Sequence, residues 1–230
     1  MNTDKSNTSL IGVHLCSSVA PLASPAPWHV GPTSLVLWRG PSWAWIGLDS
    51  VDGLHRLHSE ALNALDRLFT ELRWSEVRRV ALSGAGWMQG RPCHLSAGAD
   101  LNEVAALHPG SVDAFARRGQ RVMNHLVWSG WRSLVIQSGA AMGGGCDLAL
   151  HGQERWAVEG LKMAHPAAKH GIITGFGGTV RLPEILGEGG AERLFKSLER
   201  WGPQEAFEAG AAERILAPDE VRGRVLEWLR

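Results

Sequence analysis

The sequence has no tyrosine, only three cysteines in 230 residues, no net formal charge and no apolar run of membrane-spanning length. Each shortage excludes something. Cys16, Cys93 and Cys146 are odd in number and scattered, which fits neither a disulfide framework nor a zinc-ligand pattern and points to a reducing, cytoplasmic compartment. The 23 Lys+Arg residues are matched by 23 Asp+Glu, so nothing in the balance suggests nucleic acid or an anionic membrane surface as partner. No stretch approaches the roughly 20 apolar residues of a spanning helix. Tryptophan, at 11 copies, takes tyrosine's place as the bulky aromatic.

The length suits one domain with a sizeable core and a short appendage. Residues 1–32 are expected to be a disordered or extended segment. Met1 to Ser9 is polar, and Pro21 to Pro32 is a proline-rich tether. Between them, Leu10 to Ala23 is mildly apolar, but His14, Ser17, Ser18 and Pro21 interrupt it and a single lysine precedes it, which argues against a signal peptide. The folded domain is expected over residues 33–230. Ser34 to Trp38 and Ala44 to Leu48 read as strands around the turn Gly40-Pro41-Ser42. Asp52 to Arg73 reads as an amphipathic helix, with Leu54, Leu57, Ala61, Leu65 and Leu68 on one stripe. Val77 to Ser83 reads as a strand and Val112 to Ser129 as a further helix.

The most informative stretch is Val135 to Gln153. The apolar run Leu134 to Ile136 predicts a buried strand, Ser138 to Ala141 a small-residue loop, Gly143 to Gly145 a close backbone approach, and Cys146 to Leu150 a helix. The start of that helix offers unpaired N–H groups and the positive end of a dipole, a device that stabilises an anion or a developing oxyanion. Asp147 falls in the first helical turn, one carboxylate beside the donors and placed for proton transfer.

GAAMGGGCDLAL resembles the GxALGGGCELA segment of the enoyl-CoA hydratase/isomerase (crotonase) superfamily. Upstream, Ser96 to Leu101 (SAGADL) resembles that family's CAGADL, and downstream Gly171 to Leu182 (GIITGFGGTVRL) resembles its GxxPGxGGTxRL. The resemblance runs from about Thr33 to about Glu220, with Trp87 to Leu95 a few residues longer than the usual connection. It implies an α/β fold of the crotonase-like (ClpP/crotonase) ββα-spiral type with a shortened C-terminal helical region. It also implies an acyl-CoA or acyl-carrier-protein thioester as substrate, no metal, no cofactor beyond the CoA of the substrate, and a homotrimer or dimer of trimers. The two oxyanion donors become the amides of Ala99 and Gly144. Ala97, Gly98 and Gly143 line the thioester's path, the Ala97 carbonyl accepting from the adenine amino group. Arg56 stands on the lip, where it either meets a CoA phosphate or is simply solvated. Asp100 fits a helix cap better than a catalyst.

One departure matters. Where the family has Pro-Glu, with the second catalytic glutamate, this chain has Pro166-Ala167, and Asp147 is one methylene shorter than the first glutamate. Fast hydration by two carboxylates is therefore in question, while one-proton chemistry on a stabilised enolate suits Asp147 acting alone; hydration or dehydration with this single carboxylate is the first expectation, isomerisation or decarboxylation the second. His165, Lys169 and His170 lie close to the lost carboxylate, and His94 lies in the longer loop; each is either an auxiliary group or a structural side chain. The competing expectation is a non-catalytic acyl-CoA-binding homologue.

Overall fold

The computed structural model describes residues 33–196 and 199–230, together with the backbone of Leu15–Cys16. The segment expected over residues 1–32 thus lies outside the described residues except for Leu15–Cys16, strand β1, which pairs in parallel with the next strand. Strands β2 (Ser34–Arg39) and β3 (Trp43–Asp49) form an antiparallel hairpin closed by Gly40 N donating to Trp43 O at 3.0 Å. From β3 onward the main sheet is parallel, through β4 (Arg79–Gly84), β5 (Arg132–Gln137), β7 (Glu154–Val158) and β9 (Arg214–Leu216). A second sheet of two strands, β6 (Ala140–Met142) and β8 (Lys162–Ala164), stands apart. The helices are α1 (Ser59–Arg73), α2 (Leu101–Ala106), α3 (Pro109–Trp128), α4 (Gly144–His151), α5 (Gly178–Lys196), α6 (Pro203–Glu208) and α7 (Val221–Leu229). Among the described residues no helix is long and apolar enough to cross a membrane.

Both faces of the main sheet are covered, as a parallel sheet requires. The pleat sorts side chains with a period of two. Ala44, Ile46, Val80, Leu82, Val135 and Ala157 face the larger core, shared with α1, α3 and α4. Trp45, Ala81, Leu134, Ile136 and Trp156 face a second core, closed by Val221, Val225 and Leu229 of α7. Four of the tryptophans, at 38, 45, 87 and 156, belong to this second core. Trp45 is fully buried and donates its indole N–H to Ser83 Oγ at 2.9 Å.

The helix expected from Asp52 starts only at Ser59, with His58 as N-cap. Residues 52–58 cannot be helical. Asp52 Oδ1 accepts from Leu54 N at 3.0 Å, Gly53 has φ 70° and His55 has φ 47°. The backbone of this loop is instead committed elsewhere: Leu54 O accepts from Ala97 N at 2.7 Å and Leu57 N donates to Gly98 O at 2.8 Å. The expected small-residue loop at Ser138–Ala141 is partly strand, because β6 finds partners on two sides. Ser96 N donates to Ala140 O and Met142 N to Ser96 O, both at 3.0 Å, while β8 pairs on the other edge. Helix α3 begins three residues before the expected start, at Pro109, with Ser111 Oγ accepting from His108 N at 3.1 Å.

Candidate active site

The segment Ser96–Ala99 is held between the 54–57 loop and β6. Besides the backbone bonds just given, Ser96 Oγ donates to His55 O at 2.6 Å and accepts from Gly98 N at 3.0 Å. This brings it against the start of α4. A Cβ on Gly98, whose φ is 92°, would lie 2.3 Å from Met142 O and 3.0 Å from Gly144 N. A Cβ on Gly144 would lie 3.4 Å from Ala99 N, and one on Gly145 would lie 2.3 Å from Ser96 O. The glycines are there because two main chains touch. Among the described residues neither the Ala99 nor the Gly144 amide donates a hydrogen bond to protein, whereas Gly143 N donates to Ala164 O at 2.9 Å. Gly143 has φ 52° and ψ −118°, a turn that only glycine adopts readily, just before the first N–H of α4.

Ala97, Ala99, Gly143 and Gly144 all border one cleft of about 420 Å³. Its far walls are apolar: Leu101 and Val104 of α2, Val112 and Phe115 of α3, and Ile172 and Phe176 of the loop before α5. The Phe115 and Phe176 rings are 5.4 Å apart, and a Cβ on Gly119 would meet Phe176 at 2.1 Å. His165, Ala167 and Thr174 also line it. Ala167, in the position of the missing carboxylate, contributes only a methyl group.

Sequence reasoning put Asp147 itself against the reacting carbon; the structure seats it one layer behind. Asp147 is 0% exposed and does not border the cleft. One carboxylate oxygen, Oδ1, lies 3.2 Å from His165 Nε2, and the other accepts a short hydrogen bond from Thr174 Oγ1. His165 is itself 1% exposed, its ring 4.8 Å from that of Phe195, and its Nδ1 has no partner among the described residues. The start of α5 can approach this pair only because Gly178 lacks a side chain, since a Cβ there would fall 2.0 Å from Asp147 Oδ1. On the other side of Asp147, His151 Nδ1 donates to its carbonyl at 2.6 Å, and burial holds the His151 imidazole below its ordinary pKa.

Asp100 caps α2, accepting from Asn102 N at 2.9 Å and Glu103 N at 3.1 Å. The Arg56 guanidinium pairs with Asp52 and does not border the cleft; the Leu54 amide first, and then this pairing, pull the Asp52 carboxyl down to about 2. His94 is not brought to the cleft. Its ring lies across Gly139, its Nδ1 accepts from Ala140 N at 3.0 Å, and it borders a separate polar crevice with Asp49, His55 and Arg91. Next to it, burial pushes the Cys93 thiol up to about 11. Lys169 is exposed, and the side chain of His170 lies outside the described residues. Among the described residues no group of three His, Cys, Asp or Glu side chains is arranged to hold a metal. Sequence reasoning missed Thr174. The only signal was its position, because it stands where the resembling motif has proline.

A family model described as enoyl-CoA hydratase/isomerase matches residues 55–230. The short-chain-enoyl-CoA hydratase of Clostridium acetobutylicum is 28% identical over 195 residues, 84% of this chain and 73% of its own. A probable enoyl-CoA hydratase of Bacillus subtilis is 35% identical over 168 residues, 72% of this chain and 61% of its own. Among solved structures, Pseudomonas aeruginosa DspI superposes with a TM-score of 0.78 at 29% identity, over 85% of this chain and 72% of that one. The enoyl-CoA hydratase of Bacillus anthracis superposes at 0.75 and 26% identity, over 86% and 75%.

Proposed function

Because the chain belongs to the enoyl-CoA hydratase/isomerase family, we propose that it adds water across the Cα=Cβ bond of a 2-enoyl thioester, with CoA as the carrier. One observation carries this reading: the Ala99 and Gly144 amides, neither of which donates a hydrogen bond among the described residues, lie close together at the edge of an apolar cleft. A thioester oxygen set between them accepts two N–H bonds, which strengthen as the oxygen gains charge. That lowers the barrier to attack at Cβ. The water oxygen bonds to Cβ, the alkene electron pair moves through Cα to the thioester oxygen, and the enolate so formed takes a proton at Cα. The water proton must be accepted and a proton delivered; among the described side chains that line the cleft, His165, paired with Asp147, is the acid/base group. The apolar lining supports an unsubstituted acyl chain. The exposed apolar side chains of Val51, Trp74, Trp128 and Val180 support a homo-oligomer, which we take to be a trimer or dimer of trimers. The free thiols Cys93 and Cys146 support a reducing, cytoplasmic setting.

The test is the loss of enoyl-thioester absorbance when purified protein meets crotonyl-CoA and longer 2-enoyl-CoA esters, with acyl-carrier-protein thioesters as a second arm. Turnover is expected on the CoA esters. Binding of CoA esters with no turnover on any of them would overturn the hydratase reading.

A further inference from the structure

Resting on the hydratase reading, we infer that His165 is the catalytic residue that moves the proton, through Nδ1, and that Asp147 is a positioning residue held in place by Thr174. The Asp147 carboxylate stands behind the cleft wall. It has no exposed surface, it does not border the cleft, and both its oxygens are taken. His165 does border the cleft. A carboxylate only accepts, so the ring nitrogen facing it, Nε2, carries the hydrogen. Nδ1 is then left with its lone pair, buried and without a partner among the described residues. A buried polar atom without a partner is costly, and on a residue that lines a cleft a ligand can complete it. Among the described residues, Thr174 and His151 are both bonded to Asp147, the buried Cys146 thiol lies within its electrostatic reach, and α5 presents the Phe195 ring to the imidazole.

The step balances with one group. Nδ1 accepts a proton from water as the water oxygen bonds to Cβ, giving imidazolium and an enolate held by the Ala99 and Gly144 amides. The imidazolium then returns that proton to Cα, and the 3-hydroxyacyl thioester leaves with the atoms of one water added. Asp147 meanwhile fixes the tautomer and faces the transient positive charge. This arrangement also explains why a methyl group at Ala167 is tolerated: a single imidazole replaces the second carboxylate.

The decisive experiment follows kcat and KM for crotonyl-CoA hydration from about pH 5 to about pH 9 in the wild type, His165→Gln and Asp147→Asn. A general acid/base contributes about 10²–10⁴-fold, and His165→Gln should lose that much in kcat with KM little changed. Asp147→Asn should fall by a comparable factor, because the side-chain amide introduced by the substitution can donate to Nε2 and force the hydrogen onto Nδ1. Nitrogen-15 NMR of the ring reads this directly: Nε2–H in the wild type, Nδ1–H in Asp147→Asn. Near-normal kcat in His165→Gln beside an inactive Asp147→Asn would overturn the inference, as would a wild-type ring protonated on Nδ1. If His165→Gln does not fold, the wild-type ring spectrum still decides. A wild type silent on every enoyl-CoA ester defeats the hydratase reading, while the same spectrum judges the pair independently.

Discussion

Thr174 Oγ1 donates to Asp147 Oδ2 from a loop 27 residues further along the chain. The bond is the only one made to that oxygen among the described residues, and the carboxylate has no water-exposed surface to fall back on. Thr174→Val keeps the shape and removes the donor. It should cost about 1–3 kcal/mol of stability, the usual penalty for a buried acceptor left unpaired. It should also lower kcat more than it changes KM. Urea denaturation and steady-state kinetics check both; an unchanged denaturation midpoint would show that the bond carries nothing.

Gly98 is a point of close main-chain approach in the oxyanion device. Its φ of 92° is strained for an L residue, and a Cβ there would stand 2.3 Å from a backbone oxygen. Neither strand can yield without moving the Ala99 or Gly144 amide. Gly98→Ala should destabilise the fold by about 1–3 kcal/mol and, by displacing a donor, cut kcat/KM by about 10²-fold. Full activity in a folded Gly98→Ala protein would contradict the placement of the two amides.

The tryptophan core on the opposite face of the sheet offers a control. Trp45→Phe removes the indole donor to Ser83 and opens space beside Trp38, whose ring centroid is 5.8 Å away. A loss of about 1–3 kcal/mol is expected. Since Trp45 faces away from the cleft, kcat and KM should hold at temperatures where the protein is folded. A change in KM without a change in stability would mean that the two faces are not independent.

His55 and His151 are both buried, and burial holds both imidazoles below their ordinary pKa. The unfolded chain therefore binds protons that the folded chain does not, once the pH drops below about 6.5, the ordinary histidine value. Stability is present above that pH and is lost as the pH falls through it. The urea midpoint should decline progressively on acidification. His55→Asn should flatten the decline, since asparagine tolerates the φ of 47° at this position and does not titrate. An equal slope in wild type and variant would remove His55 from the account.

The sequence alone carried the order of elements wherever a local pattern suffices. The apolar run before Gln137, the glycine triplet and the helix from Gly144 were legible because each is written in consecutive residues. So was the Asp100 cap. The start of α1 was misjudged because Leu54 and Leu57 keep helical spacing while their backbone groups bond to Ala97 and Gly98, some 40 residues away. The strand β6 was misjudged for the same reason, its partners being remote in sequence.

What residue types are present, and therefore which chemistry is available, was settled by the sequence: two small-residue backbone segments, one aspartate, and no second carboxylate at Ala167. Which of those groups faces the cleft was settled only by the folding of the chain. An aspartate in the first turn of a helix can point to solvent, to substrate or to a neighbour, and spacing does not distinguish them. The approach of α5 at Gly178 and the crossing of β8 into the 3₁₀ turn at Pro166 bring Thr174 and His165 onto Asp147, and so turn a lone carboxylate into a buried pair whose second imidazole nitrogen has no partner among the described residues.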